Sequence, residues 1–159
     1  MAETAGHVDG FFANAGIGTG AGLGDRDDWS ATMRVNIEAH ITAAQLLIPA
    51  WYERGEGLWV TTASAAGVLT QIGDAPYSVS KAAAVAFAEW LAITYGDKGL
   101  RVSCPLPMGV DTPLVQRGLE MEDERGLGAE IVAAPGDLLD PADVAKDVMA
   151  AIKDERFFI

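Results

Sequence analysis

The sequence predicts an α/β protein with a parallel sheet. Short, largely apolar runs recur along the chain, as expected for strands that are buried on both faces. Longer segments between them carry apolar residues at three- and four-residue steps, which is typical of amphipathic helices. Because strands and helices alternate over a length that suits one core, we expect a single domain over residues 1–159.

The first half of the chain is predicted to contain one strand, one loop and one long helix. The strand covers residues 8–13, and the glycine-rich stretch 16–24 follows it as a loop. The helix runs from about 29 to 51, with Asp27 or Asp28 as its cap.

The second half is predicted to contain three strands, at 58–62, 100–104 and 156–159, and helices at 77–95 and from 141 onward. Asp140 is the expected cap of the last helix, with Pro141 in its first turn. The polar segment from Asp111 to Gly126 is predicted to be irregular and mobile.

Composition disfavours several classes of partner. A net charge of −12 repels phosphate backbones and anionic lipids, so neither nucleic acid nor a membrane surface is expected to bind. No apolar stretch is long enough to span a bilayer, and residues 1–7 lack the basic and apolar parts of a secretory signal. Because Cys104 is the only cysteine, we expect no disulfide, no metal site and a cytoplasmic location.

The pair Tyr77 and Lys81 indicates acid/base chemistry. The two residues are four positions apart on a predicted helix, so both side chains lie on one face. A neighbouring ammonium is expected to lower the pKa of the phenol and to make it an acid or base near neutrality. Ser64, thirteen positions before Tyr77 in a run of small residues, is placed to hold a substrate oxygen. Taken alone, this tyrosine–lysine spacing is more typical of a surface cation beside an aromatic ring than of a catalytic pair.

Four blocks together resemble the short-chain dehydrogenase/reductase family. They are the segment Asn14-Ala15-Gly16, the segment Arg34-Val35-Asn36, Ser64, and the Tyr77–Lys81 pair, in the family's order and spacing. Singly, Asn14 is also consistent with a turn, Asn36 with a helix surface and Ser64 with a loop. The resemblance implies a partial Rossmann-like, doubly wound parallel sheet in a three-layer α/β/α arrangement.

The resemblance also implies an NAD(P)-dependent oxidoreductase that interconverts a small alcohol with an aldehyde or ketone. Tyr77 would be the acid/base, and Lys81 would lower the pKa of Tyr77 and anchor the ribose. Ser64 would donate to the substrate oxygen, and Asn36 would hold a water. Asn14, Ala15, Gly16, Tyr77, Lys81, Val110 and Thr112 would border NAD or NADP. A homo-oligomer is expected, with the helices that carry Asn36 and Lys81 at its contact.

The chain departs from the family in its nucleotide-binding part. It is expected to correspond to the C-terminal, catalytic half, without the family's glycine-rich coenzyme turn. Two glycine stretches imitate that turn, at 19–26 and 16–21, but Arg26 replaces a glycine in the first and no helix directly follows the second. Met108 stands where the family usually has glycine. The first strand is expected to be a bare apolar edge, covered by another chain, a rearranged segment or self-association.

Two other functions stay open. The chain would be a catalytically inactive, truncated remnant if it kept the fold only for oligomerisation or another interaction. A serine hydrolase using Ser64 is disfavoured, since the sequence has no Gly-x-Ser-x-Gly elbow and no evident triad partner for His7 or His40.

Overall fold

The architecture is a parallel sheet with helices on both sides. A computed structural model describes residues 6–134, 136 and 138–159, with Arg125 described by its backbone alone. The strands β1 (Gly10–Ala13), β2 (Gly57–Thr61) and β3 (Leu100–Ser103) pair in that order, all parallel. This confirms the predicted α/β class and the positions of three strands to within two residues.

The described residues form helices in the three predicted regions, 29–51, 77–95 and from 141 onward, and also at 66–69, 113–119 and 124–133, where no helix was predicted. They are α1 (Arg26–Met33), α2 (Ala39–Arg54), α3 (Ala66–Leu69), α4 (Ala75–Tyr95), α5 (Pro113–Leu119), α6 (Glu124–Ala133) and α7 (Pro141–Lys153), with a π-helical turn at Arg34–Glu38 and a 3₁₀ turn at Gly96–Lys98.

The sheet packs through its two faces against different helices. Ala13 and Trp59 lie in one core cluster with Ala44 and Trp51 of α2 and with Leu91 of α4. Strand side chains alternate between faces, so neighbouring positions in β1 and β2 point to the other side. There, Phe12 and Val60 line a cleft together with Val144 and Val148 of α7. The arrangement is three-layered, as predicted.

The long first helix is continuous but not uniform. Within it, the Ala39 N–H bonds to the Arg34 carbonyl, five residues back, which makes the turn around Asn36 π-helical. The predicted caps Asp27 and Asp28 were wrong by two or three positions. Asp25 is the cap, because its carboxylate accepts the N–H groups of Asp27 and Asp28 while Asp28 accepts the N–H of Asp25.

Two further predictions need correction. The segment Asp111–Gly126 is not irregular, since Thr112 and Pro113 start α5 and α6 follows it from Glu124. The final strand is reduced to a single parallel bridge between Phe158 and Cys104, although the backbone of 157–159 also bonds to Cys104 and Leu106.

One edge of the sheet is open within the described part of the chain, because β1 pairs only with β2. Phe12 on this strand is 48% exposed. None of the helices formed by the described residues has both the length and the apolar character that crossing a bilayer requires.

Candidate functional site

Two cavities meet at the carboxyl ends of the strands. One has a volume of about 340 Å³ and the other about 720 Å³. They share a wall that includes Gly16, Ser64, Tyr77 and Met108, together with Leu114, Val115 and Arg117 from α5. Carboxyl ends of parallel strands are where α/β sheets commonly bind ligands. The residues proposed for acid/base chemistry thus stand between two spaces, each large enough for part of a ligand.

Tyr77 is positioned by the start of α4. Asp74 caps this helix by accepting the Tyr77 N–H at 2.8 Å, and Pro76 occupies its first turn. Burial raises the pKa of the Tyr77 phenol above its ordinary value, a hydrogen bond with Ser64 lowers it in part, and the Asp74 carboxylate raises it further. The phenol therefore holds its proton at neutral pH.

Lys81 lies one turn further along α4 and is 3% exposed. Its ammonium donates to the Thr62 carbonyl at 2.9 Å, and Nζ is 5.7 Å from the Tyr77 ring centroid. Burial lowers the pKa of Lys81 to about 8. The ammonium has three donors, so two remain for the cleft that Lys81 lines.

The expectation that the Tyr77 pKa is lowered towards neutrality is wrong, because the pKa is raised above its ordinary value. Burial disfavours the phenolate, and the Asp74 carboxylate adds to that effect. Lys81 Nζ lies over the face of the Tyr77 ring, and burial lowers the pKa of Lys81 itself.

Ser64 follows β2 and faces Tyr77, as the sequence predicted. Its hydroxyl accepts the Ala66 N–H at 3.2 Å and donates weakly to the Pro107 carbonyl at 3.4 Å. The small residues around Ser64 serve packing as well as access. A Cβ on Gly67 would lie 2.7 Å from the Lys81 carbonyl oxygen, so only glycine lets α3 approach the backbone of α4.

Asn36 is fully buried behind the site and does not line either cavity. Its side chain accepts the Ile17 N–H and donates to the Ile17 carbonyl, both at 2.9 Å. It also donates to Ser80 Oγ at 2.9 Å, and Ser80 in turn donates to the Tyr77 carbonyl at 2.8 Å. These bonds fix the glycine-rich loop to the helix that carries Tyr77.

The predicted coenzyme-bordering residues converge on the larger cleft. Asn14, Ala15, Gly16, Val110 and Thr112 all line it, together with Tyr77 and Lys81. A Cβ on Gly16 would lie 3.2 Å from Lys81 Nζ, so the glycine keeps the approach to the ammonium open. The residues therefore fit the nicotinamide and ribose end of a dinucleotide. Met108 lies on the same wall and is 45% exposed.

The glycine stretch 19–26 is not built to cradle phosphate. It leads into α1, but the Asp25 carboxylate already occupies the N–H groups of Asp27 and Asp28. Those N–H groups are the ones that a phosphate would need, and three carboxylates at this helix start would repel it.

Sequence reasoning missed several residues of the site. Asp74 was not singled out, although an acid three positions before a helical tyrosine is a recognisable cap signal. Ser80 and Arg117 gave no local signal. The place of Ser80 in the site depends on its contact with Asn36 in the π-helical turn, and that of Arg117 on the packing of α5 over the cavity.

Neither a metal site nor a hydrolytic triad is formed by the described residues. No three His, Cys, Asp or Glu side chains among them come together to hold a metal ion. Burial raises the pKa of the Cys104 thiol to about 12. His7 pairs with Asp9, and neither ring nitrogen of buried His40 has a hydrogen-bond partner within the described chain. No histidine therefore supports Ser64 as a nucleophile.

Comparison with known proteins agrees with the geometry of this site. The family model described as "short chain dehydrogenase" matches residues 1–123, and the chain belongs to that family. It is 30% identical over 135 residues to 4-formylbenzenesulfonate dehydrogenase of Comamonas testosteroni, covering 84% of this chain and 54% of that protein. It is 25% identical over 156 residues to 3-oxoacyl-[acyl-carrier-protein] reductase of Thermotoga maritima, covering 97% and 62%. The chain thus spans about half to two thirds of the length of these relatives.

Solved structures show the same fold. Levodione reductase superposes with a TM-score of 0.85 at 21% identity, covering 99% of this chain and 67% of that one. A short chain dehydrogenase/reductase from Burkholderia phymatum, in complex with NAD, gives a TM-score of 0.81 at 26% identity, covering 99% and 62%.

Proposed function

We propose that the protein is an NAD(P)-dependent oxidoreductase that interconverts an alcohol and a carbonyl compound, with Tyr77 as the proton donor and acceptor. The observation that carries the proposal is the placement of Tyr77 and Ser64 on the wall between the two cavities. A carbonyl in the smaller cavity and a nicotinamide in the larger one would meet at these two hydroxyl groups. Membership of the family and the dehydrogenase and reductase names of its relatives support this assignment.

In this proposal Ser64 and Tyr77 act on the same substrate oxygen. Ser64 holds and polarises it, and Tyr77 delivers or removes the proton. The raised pKa of the phenol keeps the proton on Tyr77 at neutral pH, which suits proton donation during carbonyl reduction.

Lys81 and the cleft residues would hold the nicotinamide end of the coenzyme. The two free donors of the ammonium suit ribose hydroxyl groups, while Asn14, Ala15, Gly16, Val110 and Thr112 would border the ring. The coenzyme, NAD or NADP, would supply the hydride, and the protein would supply alignment. Asn36 would act through position, since both of its side-chain N–H groups are engaged. Its water-holding role stays a prediction.

We further propose that the chain corresponds to the catalytic, C-terminal half of the family's domain and forms one unit over residues 1–159. The order of the four blocks along β1, β2 and α4 supports this correspondence. The adenosine end of the coenzyme would then need residues other than the glycine stretches at 16–21 and 19–26. A cytoplasmic location is proposed from the single, buried cysteine.

A second candidate function is oligomerisation or interaction without catalysis, and two surfaces favour it. One is the open edge of β1. The other is a groove of about 870 Å³ between α2 and α4, lined by residues such as Ile41, Ile48, Phe87 and Trp90. We propose that the protein self-associates through this groove, as the resemblance implies. Oligomerisation is compatible with either function.

The test is turnover of NADH or NADPH by the purified chain with a panel of small aldehydes and ketones. We expect carbonyl-dependent oxidation of the coenzyme, reduced about 100-fold or more in Tyr77→Phe because the proton donor is removed. Tyr95→Phe is the matched control, since Tyr95 packs against Tyr52 and Trp90, away from both cavities. Equal rates in Tyr77→Phe and the unchanged chain would rule out the proposed role of Tyr77.

A further inference from the structure

The smaller cavity has an apolar body. Its wall is formed mainly by aliphatic side chains and methionines from the loop after β1, the segment after β3, and α5 and α6: Ile17, Met108, Leu114, Val115, Met121 and Val132. Ser64 and Tyr77 are at the wall shared with the larger cleft. A ligand that fills this space is therefore in contact with apolar groups over most of its length.

Among the residues that the structure describes, two charged side chains line this cavity, Asp74 and Arg117. Asp74 is 5% exposed, caps α4 and raises the pKa of Tyr77, so its negative charge lies close to Tyr77. Arg117 lies on α5, on the same face as Leu114 and Gly118 because these positions are three and four residues apart.

Arg117 is exposed and makes no ion pair or hydrogen bond with the described part of the chain. This is notable in a protein with 23 acidic and 11 basic side chains. A guanidinium that is free of carboxylates and faces an apolar cavity is available to an anionic group of a ligand.

We propose that Arg117 makes the site selective for carbonyl compounds in which an apolar body joins the carbonyl to a carboxylate. The inference rests on the proposed function and names its substrate class. The carbonyl would lie against Ser64 and Tyr77, and the apolar body against the aliphatic wall. The carboxylate would bind the Arg117 guanidinium, because Arg117 is the one cation among the described residues that line this cavity, while the Asp74 carboxylate repels an anion.

Arg117 also lines the larger cleft, so a coenzyme phosphate is a second source of the same anionic chemistry. The test separates the two by measuring ligand and coenzyme binding independently. Calorimetric dissociation constants are measured for 4-formylbenzoate and for 4-formylbenzamide, which has the same shape without the charge. NADH affinity is measured in the same variants.

We expect the unchanged chain to bind the carboxylate about tenfold more tightly than the amide. The preference should disappear in Arg117→Gln, persist in part in Arg117→Lys and weaken with added salt. Arg101→Gln is the matched control, because Arg101 is an exposed arginine on β3 that lines neither cavity.

Equal binding of the two compounds, a preference that survives in Arg117→Gln, or no binding of either at millimolar concentration would overturn the inference. A loss of NADH affinity in Arg117→Gln without change in the carboxylate preference would also overturn it and assign Arg117 to the coenzyme. Because these experiments measure binding, the result for Arg117 can be interpreted even if the chain shows no turnover. A carboxylate preference without any turnover would count against the oxidoreductase proposal alone.

Discussion

Tyr77 and Lys81 depart in opposite directions from their ordinary proton affinities, and burial is the main cause for both. The pKa of the phenol is raised, whereas that of the ammonium is lowered to about 8. At neutral pH both groups therefore keep their protons, and two donors face the cavities. This state suits reduction of a carbonyl better than oxidation of an alcohol, which requires Tyr77 to accept a proton.

His40 is a further buried titratable residue, close enough to Lys81 for the Lys81 charge to act on it. It is 3% exposed, and neither ring nitrogen has a hydrogen-bond partner among the described residues. Burial and the charge of Lys81 lower its pKa from 6.5 to about 4. As pH falls between these values the unfolded state binds a proton that the folded state does not, so stability is lost.

We expect His40→Leu to reduce this loss. The free energy of unfolding should decrease between pH 7 and pH 4.5 in both proteins. The decrease should be about 2 kcal/mol smaller in the variant than in the unchanged chain, because leucine cannot bind a proton. The measurement is urea unfolding at the two pH values. His7→Leu is the control, because His7 lies on the surface beside Asp9. An identical loss in His40→Leu and the unchanged chain would show that His40 does not stay neutral.

At the scale of elements, much of the fold follows from local pattern. The apolar runs of β1, β2 and β3 and the periodicity of α2, α4 and α7 depend on near neighbours, so the sequence predicts them. The choice of Asp25 over Asp27 or Asp28 as cap could not be made, because all three acids are suitable residue types. The helices α5 and α6 were missed because they are short and contain Gly118, Gly126 and Gly128, which have low helix propensity.

The candidate site likewise contains residues that local sequence patterns predict and residues whose roles depend on tertiary contacts. The residue types and spacing of Ser64, Tyr77 and Lys81 carry their own signal, and the structure brings the three together at one wall. The buried bonds of Asn36 connect residues 19 and 44 positions away, and no local pattern encodes them. The direction of the Tyr77 pKa was mispredicted because its burial and the nearby Asp74 charge are tertiary properties.

At the scale of the whole molecule, the α2–α4 groove leaves large apolar side chains on the surface. Trp90 is 53% exposed and Ile41 is 36% exposed. We expect sedimentation to show self-association in the unchanged chain and a shift to monomer in Trp90→Glu, because a charge would have to be buried at the contact. Leu23→Glu is the control, since Leu23 is 77% exposed on the loop after β1. A monomer at every concentration would contradict the proposed contact.

The measurement that decides most directly whether this chain works as a dehydrogenase is coenzyme binding. NADH and NADPH are titrated by fluorescence into the unchanged chain, Lys81→Ala and the control Lys98→Ala, whose side chain pairs with Asp97 on the surface. We predict micromolar binding of at least one coenzyme, weakened about tenfold or more in Lys81→Ala because a buried donor is lost, and unchanged in Lys98→Ala. Absence of binding up to millimolar coenzyme would contradict the proposal and favour a non-catalytic interaction module.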